Sequence, residues 1–90
     1  MVRVLLPAML RPLAGGAGTL DVDAPTLDAV LDSLGAGFPA LERRLRDETG
    51  ALRRYVNFYV DGEECRRLDG AKTSLAEAKE VQIIPSVAGG

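Results

Sequence analysis

In Tyr55-Val56-Asn57-Phe58-Tyr59-Val60-Asp61-Gly62, the residues Val56, Phe58 and Val60 alternate with Tyr55, Asn57 and Tyr59. Successive side chains of a strand point to opposite faces, so this alternation predicts a strand with one buried face and one outer face. Asp61-Gly62 accepts the positive φ angles of a tight hairpin turn, and Glu64 to Leu68 is expected to return as a short antiparallel strand.

Upstream of that hairpin the period changes from two to about four. Leu27, Val30, Leu31 and Leu34 form a single apolar stripe, as one face of a helix requires. Thr26 is placed to cap the first free N–H groups, and Asp28 lies in the first turn, where the helix dipole favours an anion. Gly35-Ala36-Gly37 is expected to stop this helix in a left-handed cap. Pro39 then opens a shorter helix with Phe38, Leu41 and Leu45 on one face, and Glu42, Arg43, Arg44 and Arg46 towards water. A loop around Asp47-Glu48-Thr49-Gly50 leads back to the central stretch.

At the N-terminus, Val2 to Leu6 reads as a strand closed by Pro7, and Thr19 to Asp23 alternates with Leu20 and Val22 on one side. Two strands this close in sequence predict an antiparallel hairpin, with Gly15-Gly16-Ala17-Gly18 in the connector. That glycine cluster is not a phosphate loop, because no Lys-Ser/Thr follows it and a strand pattern comes next. Downstream, Leu75 is a core anchor in a polar stretch, and Val81-Gln82-Ile83-Ile84 is a last strand ended by Pro85. The layout is α+β: a sheet of four to five strands on one main helix plus a short second helix. It makes one domain over residues 1–85, followed by a flexible tail over residues 86–90.

Composition excludes several classes of function. The 90 residues carry 13 acidic and 11 basic side chains, a net charge of −2, which argues against a nucleic-acid partner. The paired arginines Arg43–Arg44, Arg53–Arg54 and Arg66–Arg67 read as solvated surface. With no His, a general base of the commonest kind is missing, and Ser33, Ser74 and Ser86 have no recognisable activating partner. The carboxylate pairs Asp21/Asp23 and Glu63/Glu64 suit solvent exposure. Cys65 is the one cysteine, so neither a disulfide within the chain nor a cysteine metal cluster can form; it reads as a small strand residue. The short apolar run at the N-terminus is neither a secretory core nor a membrane span, so a cytoplasmic setting without a membrane partner is expected.

The chemistry points to the tail Ser86-Val87-Ala88-Gly89-Gly90. Val87, Ala88 and Gly89 taper to a tip that can thread a narrow channel, and the Gly90 carboxylate is an unhindered acyl group. Phe58, Ile84 and Pro85 are candidates for a partner-docking surface.

The order of elements resembles the β-grasp, or ubiquitin-like, fold. The ending Ile83-Ile84-Pro85-Ser86-Val87-Ala88-Gly89-Gly90 is similar to that of the MoaD/ThiS sulfur carriers. Leu10-Arg11-Pro12 and Tyr55 to Val60 extend the likeness towards the CysO-type carriers of cysteine biosynthesis. Many MoaD tails instead carry an aromatic residue and a second proline where this chain has Ile84 and Ser86.

The resemblance implies a protein co-substrate rather than an enzyme, with no bound cofactor. A ubiquitin-activating-type enzyme would use ATP to adenylate Gly90, and sulfur would replace AMP to give a thiocarboxylate. A pyridoxal-phosphate cysteine synthase would accept that sulfur on an aminoacrylate, and a zinc-dependent peptidase would release the finished cysteine. Sulfur donation to molybdopterin, thiazole or another metabolite is the alternative within the family. A binding module or a protein modifier is the alternative outside sulfur transfer.

Overall fold

The computed structural model describes residues 1–85. The chain runs through β1 (Val2–Leu5), β2 (Thr19–Val22), α1 (Leu27–Gly37), α2 (Pro39–Leu45), β3 (Val56–Val60), β4 (Glu63–Glu64) and β5 (Glu80–Pro85). Short 3-10 turns cover Ala8–Ala14, Cys65–Arg67 and Gly70–Lys72. The five strands form one mixed sheet in the order β2-β1-β5-β3-β4, parallel between β1 and β5 and antiparallel elsewhere. With one main and one short helix, this is the expected α+β layout. The segment 86–90, expected as a separate flexible tail, lies outside the described residues.

Strand alternation and the helical stripe meet in a single core. Val2 and Val4 of β1, Val56, Phe58 and Val60 of β3, and Val81 and Ile83 of β5 point inward. Leu27, Val30, Leu31 and Leu34 of α1 join them, and Leu41 and Leu45 of α2 complete the cluster. Thr26 starts α1 as expected, its Oγ1 accepting the Ala29 N–H at 3.2 Å. The backbone after it is held from outside the helix, since Leu27 N donates to Thr73 O at 3.1 Å. Leu75, next to that contact, is buried. The Asp61-Gly62 turn has φ angles of 49° and 89°, both in the left-handed region that this hairpin type requires.

Several local expectations give way to tertiary contacts. Gly35-Ala36-Gly37 does not stop α1; all three residues remain helical, and the end comes at Phe38 (φ −137°, ψ 73°). The ring of Pro39 disfavours helical backbone at the residue before it. Gly35 serves the helix pair instead, because a Cβ there would lie 3.2 Å from Glu42 Cγ.

Arg46 was expected in water and is largely covered. Its guanidinium pairs with Glu42, Asp32 and Asp28, the last at 3.2 Å, and so ties α2 to the outer face of α1. The connector after Pro7 is not a plain loop, since its 3-10 turn buries Leu10 and Ala14. The return strand over Glu64 to Leu68 is also cut short. β4 ends at Glu64, and Cys65 turns inward at the start of a 3-10 turn, so it is a buried turn residue rather than a strand residue.

Candidate functional site at the end of the fifth strand

β5 occupies the middle of the sheet, and its two neighbours let go of it at different points. β1 pairs with it only as far as Leu5 opposite Gln82, whereas β3 follows it to Val56 opposite Pro85. From Ile83 onward β5 is therefore held on the β3 side alone, and an open groove of about 490 Å³ lies on the other. Leu5, Leu6 and Pro7 form one wall of that groove, and Arg11 stands across it. Arg11 Nε donates to the Leu6 carbonyl at 3.1 Å. The guanidinium packs so closely on Gly18 that a Cβ there would meet Arg11 Nε at 3.1 Å. In the sequence Arg11 is merely a residue before Pro12; no periodicity announces that it shapes this groove.

Pro85 ends the described chain in a firm position. It faces Val56, and the Val56 carbonyl also accepts from Arg66 Nη2 at 3.2 Å. Arg66 further donates to Asn57 Oδ1 at 2.9 Å and to Glu64 Oε2 at 2.7 Å. One guanidinium thus braces the first turn of β3 against the end of the sheet. This role was not legible in sequence, where Arg66 looked like half of a solvated pair.

The three candidates for docking separate by face. Ile84, opposite Asn57, is 40% exposed, and Tyr55 beside the same strand end is 45% exposed. Pro85 is half-buried. Phe58 is 1% exposed and sits in the core opposite Ile83, so it offers no docking surface. The reason is the two-residue period: Phe58 shares its face with Val56 and Val60, both buried. Val87, Ala88, Gly89 and Gly90 lie outside the described residues. Five residues beyond Pro85 reach at most about 17 Å.

The remaining reactive groups sit away from this end or are closed off. Cys65 is fully buried, and burial pushes its thiol pKa up despite the nearby Arg66 guanidinium. A thiol kept protonated and covered is a poor nucleophile. Alkylation by iodoacetamide at pH 8 should therefore proceed only as fast as the protein unfolds. Labelling of the native protein at the rate of a free thiol would contradict this placement. Asp21, Asp23 and Glu63 are exposed, as expected, whereas Glu64 is half-buried against Arg66. Among the described residues, no group of three metal-ligating side chains converges and no helix is long and apolar enough to cross a membrane.

A mixed five-stranded sheet grasping one main helix, with the last strand in its middle, defines a β-grasp protein of the ubiquitin-like class. The chain belongs to the ThiS family, whose model matches residues 4–90. It is 40% identical over 91 residues to the sulfur carrier protein CysO of Mycobacterium tuberculosis, covering 99% of this chain and 98% of that one. The crystal structure of M. tuberculosis CysO superposes with a TM-score of 0.87 at 37% identity, over 97% of this chain and 100% of the other. A chain of the Amycolatopsis orientalis BexX/CysO complex gives a TM-score of 0.90 at 29% identity, with 100% of both chains covered. The small archaeal modifier protein 1 of Methanosarcina acetivorans gives 0.83 at 34% identity, over 99% of this chain and 95% of that one.

Proposed function

We propose that this protein is a sulfur carrier whose reactive group is the Gly90 carboxylate, and that its sulfur goes to cysteine synthesis. A carboxylate oxygen attacks the α-phosphorus of ATP in the active site of an activating enzyme, and pyrophosphate leaves. Hydrosulfide or an equivalent sulfur nucleophile then attacks the acyl carbon and expels AMP, giving a thiocarboxylate. The globule supplies no catalytic side chain; it presents the acyl group and a surface to dock. A pyridoxal-phosphate cysteine synthase is the acceptor, where the sulfur forms a bond to carbon. The acyl group then shifts from sulfur to the amine of the new amino acid, and a zinc-dependent peptidase hydrolyses that amide.

The observation that carries this reading is that the family match runs to residue 90, so the likeness takes in the tail as well as the globule. The geometry of β5 supports it: a root braced by β3 and Arg66, beside an open groove, suits delivery of a slender terminus to another protein. That a related CysO chain is found in a complex with BexX supports a carrier that works by docking on a partner protein.

The test is the intact mass after incubation with ATP, sulfide and the activating enzyme from the same source. Exchange of one oxygen for sulfur adds about 16 Da, as acyl transfer through an activated intermediate requires. An unchanged mass with an enzyme that thiolates its own carrier would sink the proposal. Likeness to the archaeal modifier favours a second reading, in which the same tail is joined to lysines of other proteins. Mass-shifted protein conjugates in place of the thiocarboxylate would decide for it.

A further inference from the structure

The last hydrogen-bonded rung between β3 and β5 belongs to Asn57 and Ile84. Asp61 N donates to Glu80 O at 3.0 Å, which sets the phase of the ladder. In an antiparallel pair every second couple exchanges both N–H···O bonds, so Tyr59 with Gln82 and Asn57 with Ile84 are the bonded couples that follow. Val56 and Pro85 face each other one step further without such bonds, and Pro85 has no N–H to give. On its other side β5 has already lost β1, whose pairing stops at Leu5 opposite Gln82. One rung therefore decides whether the chain leaves the sheet after Pro85 or after Ile83.

β3 has no neighbouring strand to support it at that rung. β4 pairs only with Tyr59 and Val60, so the side of Val56 turned away from β5 lies beyond the end of β4. Arg66 fills the place of the missing strand. Its Nη2 donates to the carbonyl oxygens of Arg53 and Arg54, each at 3.3 Å, and of Val56 at 3.2 Å. Its Nη1 donates to Asn57 Oδ1 at 2.9 Å, and Glu64 Oε2 accepts from the same Nη1 at 2.7 Å and holds the fork from the β4 side. The guanidinium thus grips the turn before β3, the first residue of the strand and the side chain of the residue that forms the rung.

We infer that Arg66 is the positioning residue of the tail: standing in for a strand beside Val56 and Asn57, it keeps the Asn57–Ile84 couple closed and so fixes where the sheet ends and the tail begins. This role deepens the carrier reading and rests on it. With the rung closed, the five residues after Pro85 reach at most about 17 Å. With it open, Ile84 and Pro85 join the tail, whose seven residues reach about 24 Å from a root that neither neighbouring strand holds. An enzyme that receives the carrier with the rung closed then finds that form in only a fraction of the molecules. Its apparent affinity falls by that fraction, while the chemistry after binding is unchanged.

Positive charge alone does not supply the grip. A guanidinium spreads its N–H groups over a rigid plane, whereas an ammonium is a compact point charge on a flexible stem. Arg66→Lys keeps the charge and loses the plane that meets three carbonyls and an amide oxygen together.

The experiment compares the parent with Arg66→Ala, Arg66→Lys and Arg67→Ala. Arg67 is exposed and makes no hydrogen bond through its side chain among the described residues, so its removal controls for charge. Amide hydrogen exchange followed by NMR reads the rung without any partner. In Arg66→Ala the Ile84 amide should exchange at least about tenfold faster than in the parent, with the Gln82 amide one rung inward changed less than about twofold, as local opening requires. A merely destabilised protein would speed the Gln82 amide as well. Arg66→Lys should behave like Arg66→Ala, and Arg67→Ala like the parent. ATP–pyrophosphate exchange by the activating enzyme reads the consequence: KM for the carrier should rise about fivefold in both Arg66 variants with kcat within about twofold, as a smaller competent population requires.

Equal acceleration of the Ile84 and Gln82 amides, protection restored by Arg66→Lys, or an Ile84 amide already unprotected in the parent overturns the inference. Faster exchange at Ile84 with an unchanged KM also overturns it, since the rung would then not matter to delivery. Should Arg66→Ala fail to fold, Arg66→Lys carries the same two measurements. A parent protein that is never adenylated refutes the carrier reading, and amide exchange then decides alone whether Arg66 closes the rung.

Discussion

Adding a single residue after Gly90, or deleting Gly89 and Gly90, should reduce ATP-dependent thiolation by at least about a thousandfold. One residue moves the terminal carboxylate by about 3.4 Å along an extended chain. A displacement of about 1 Å from productive geometry already costs on the order of a hundredfold in rate. Deletion moves the acyl carbon the other way, short of the α-phosphorus. Neither change touches the body of the domain, since every residue of the described core lies between Val2 and Ile83. The melting temperature should therefore stay within about 2 °C, a terminal segment outside the core being the part of a domain most tolerant of change. Pyrophosphate exchange and intact mass read the first effect, and a calorimetric scan reads the second. Full activity of the extended protein, with its mass showing that the extra residue is still present, would contradict threading of a free glycine terminus.

The parts of this fold that were legible in sequence are those set by short-range periodicity. Val56, Phe58 and Val60 declare their strand because the period of two is local, and Leu27 to Leu34 declare α1 for the same reason. Thr26, Pro39 and Asp61-Gly62 act within a turn or two of themselves, and each does what its chemistry dictates. What was not legible depends on partners distant in the chain. Arg46 looked solvent-facing by its place on α2, yet Asp28 and Asp32 of α1 draw it under cover. Glycines at 35 and 37 looked like a stop, but the close approach of Glu42 uses Gly35 inside the helix. Arg53 and Arg66 looked like solvated surface because the groups that hold them are main-chain carbonyls, which no pattern of side chains records. The tail was read on its composition and its likeness to a family, and the described structure adds only how its root is held.

Phe58→Ala and Ile84→Asp should separate stability from docking, although the two residues lie on adjacent strands. Phe58 is opposite Ile83 and fully covered, while Ile84, one residue further along, is opposite Asn57 on the outer face. Truncating a buried phenylalanine removes its transfer free energy and leaves a cavity, at a cost of about 3–5 kcal/mol. For a domain of this size each kcal/mol lowers the melting temperature by about 4–8 °C, so a fall of roughly 12–40 °C is expected. Total stability of small domains is about 5–15 kcal/mol, so Phe58→Ala consumes a large share of it. What remains folded should bind the activating enzyme normally, because the outer face is unchanged. Ile84→Asp replaces an exposed apolar side chain and should cost less than about 0.5 kcal/mol, as surface changes usually do. It should nonetheless weaken activation about tenfold, by placing a charge on the apolar surface that Ile84 and Tyr55 expose beside Pro85. Melting curves and KM for the carrier, measured on both variants, check the pair. A Phe58→Ala protein of normal stability that fails to bind would mean that Phe58 faces the partner. An Ile84→Asp protein activated like the parent would remove the outer face of β5 from the docking surface.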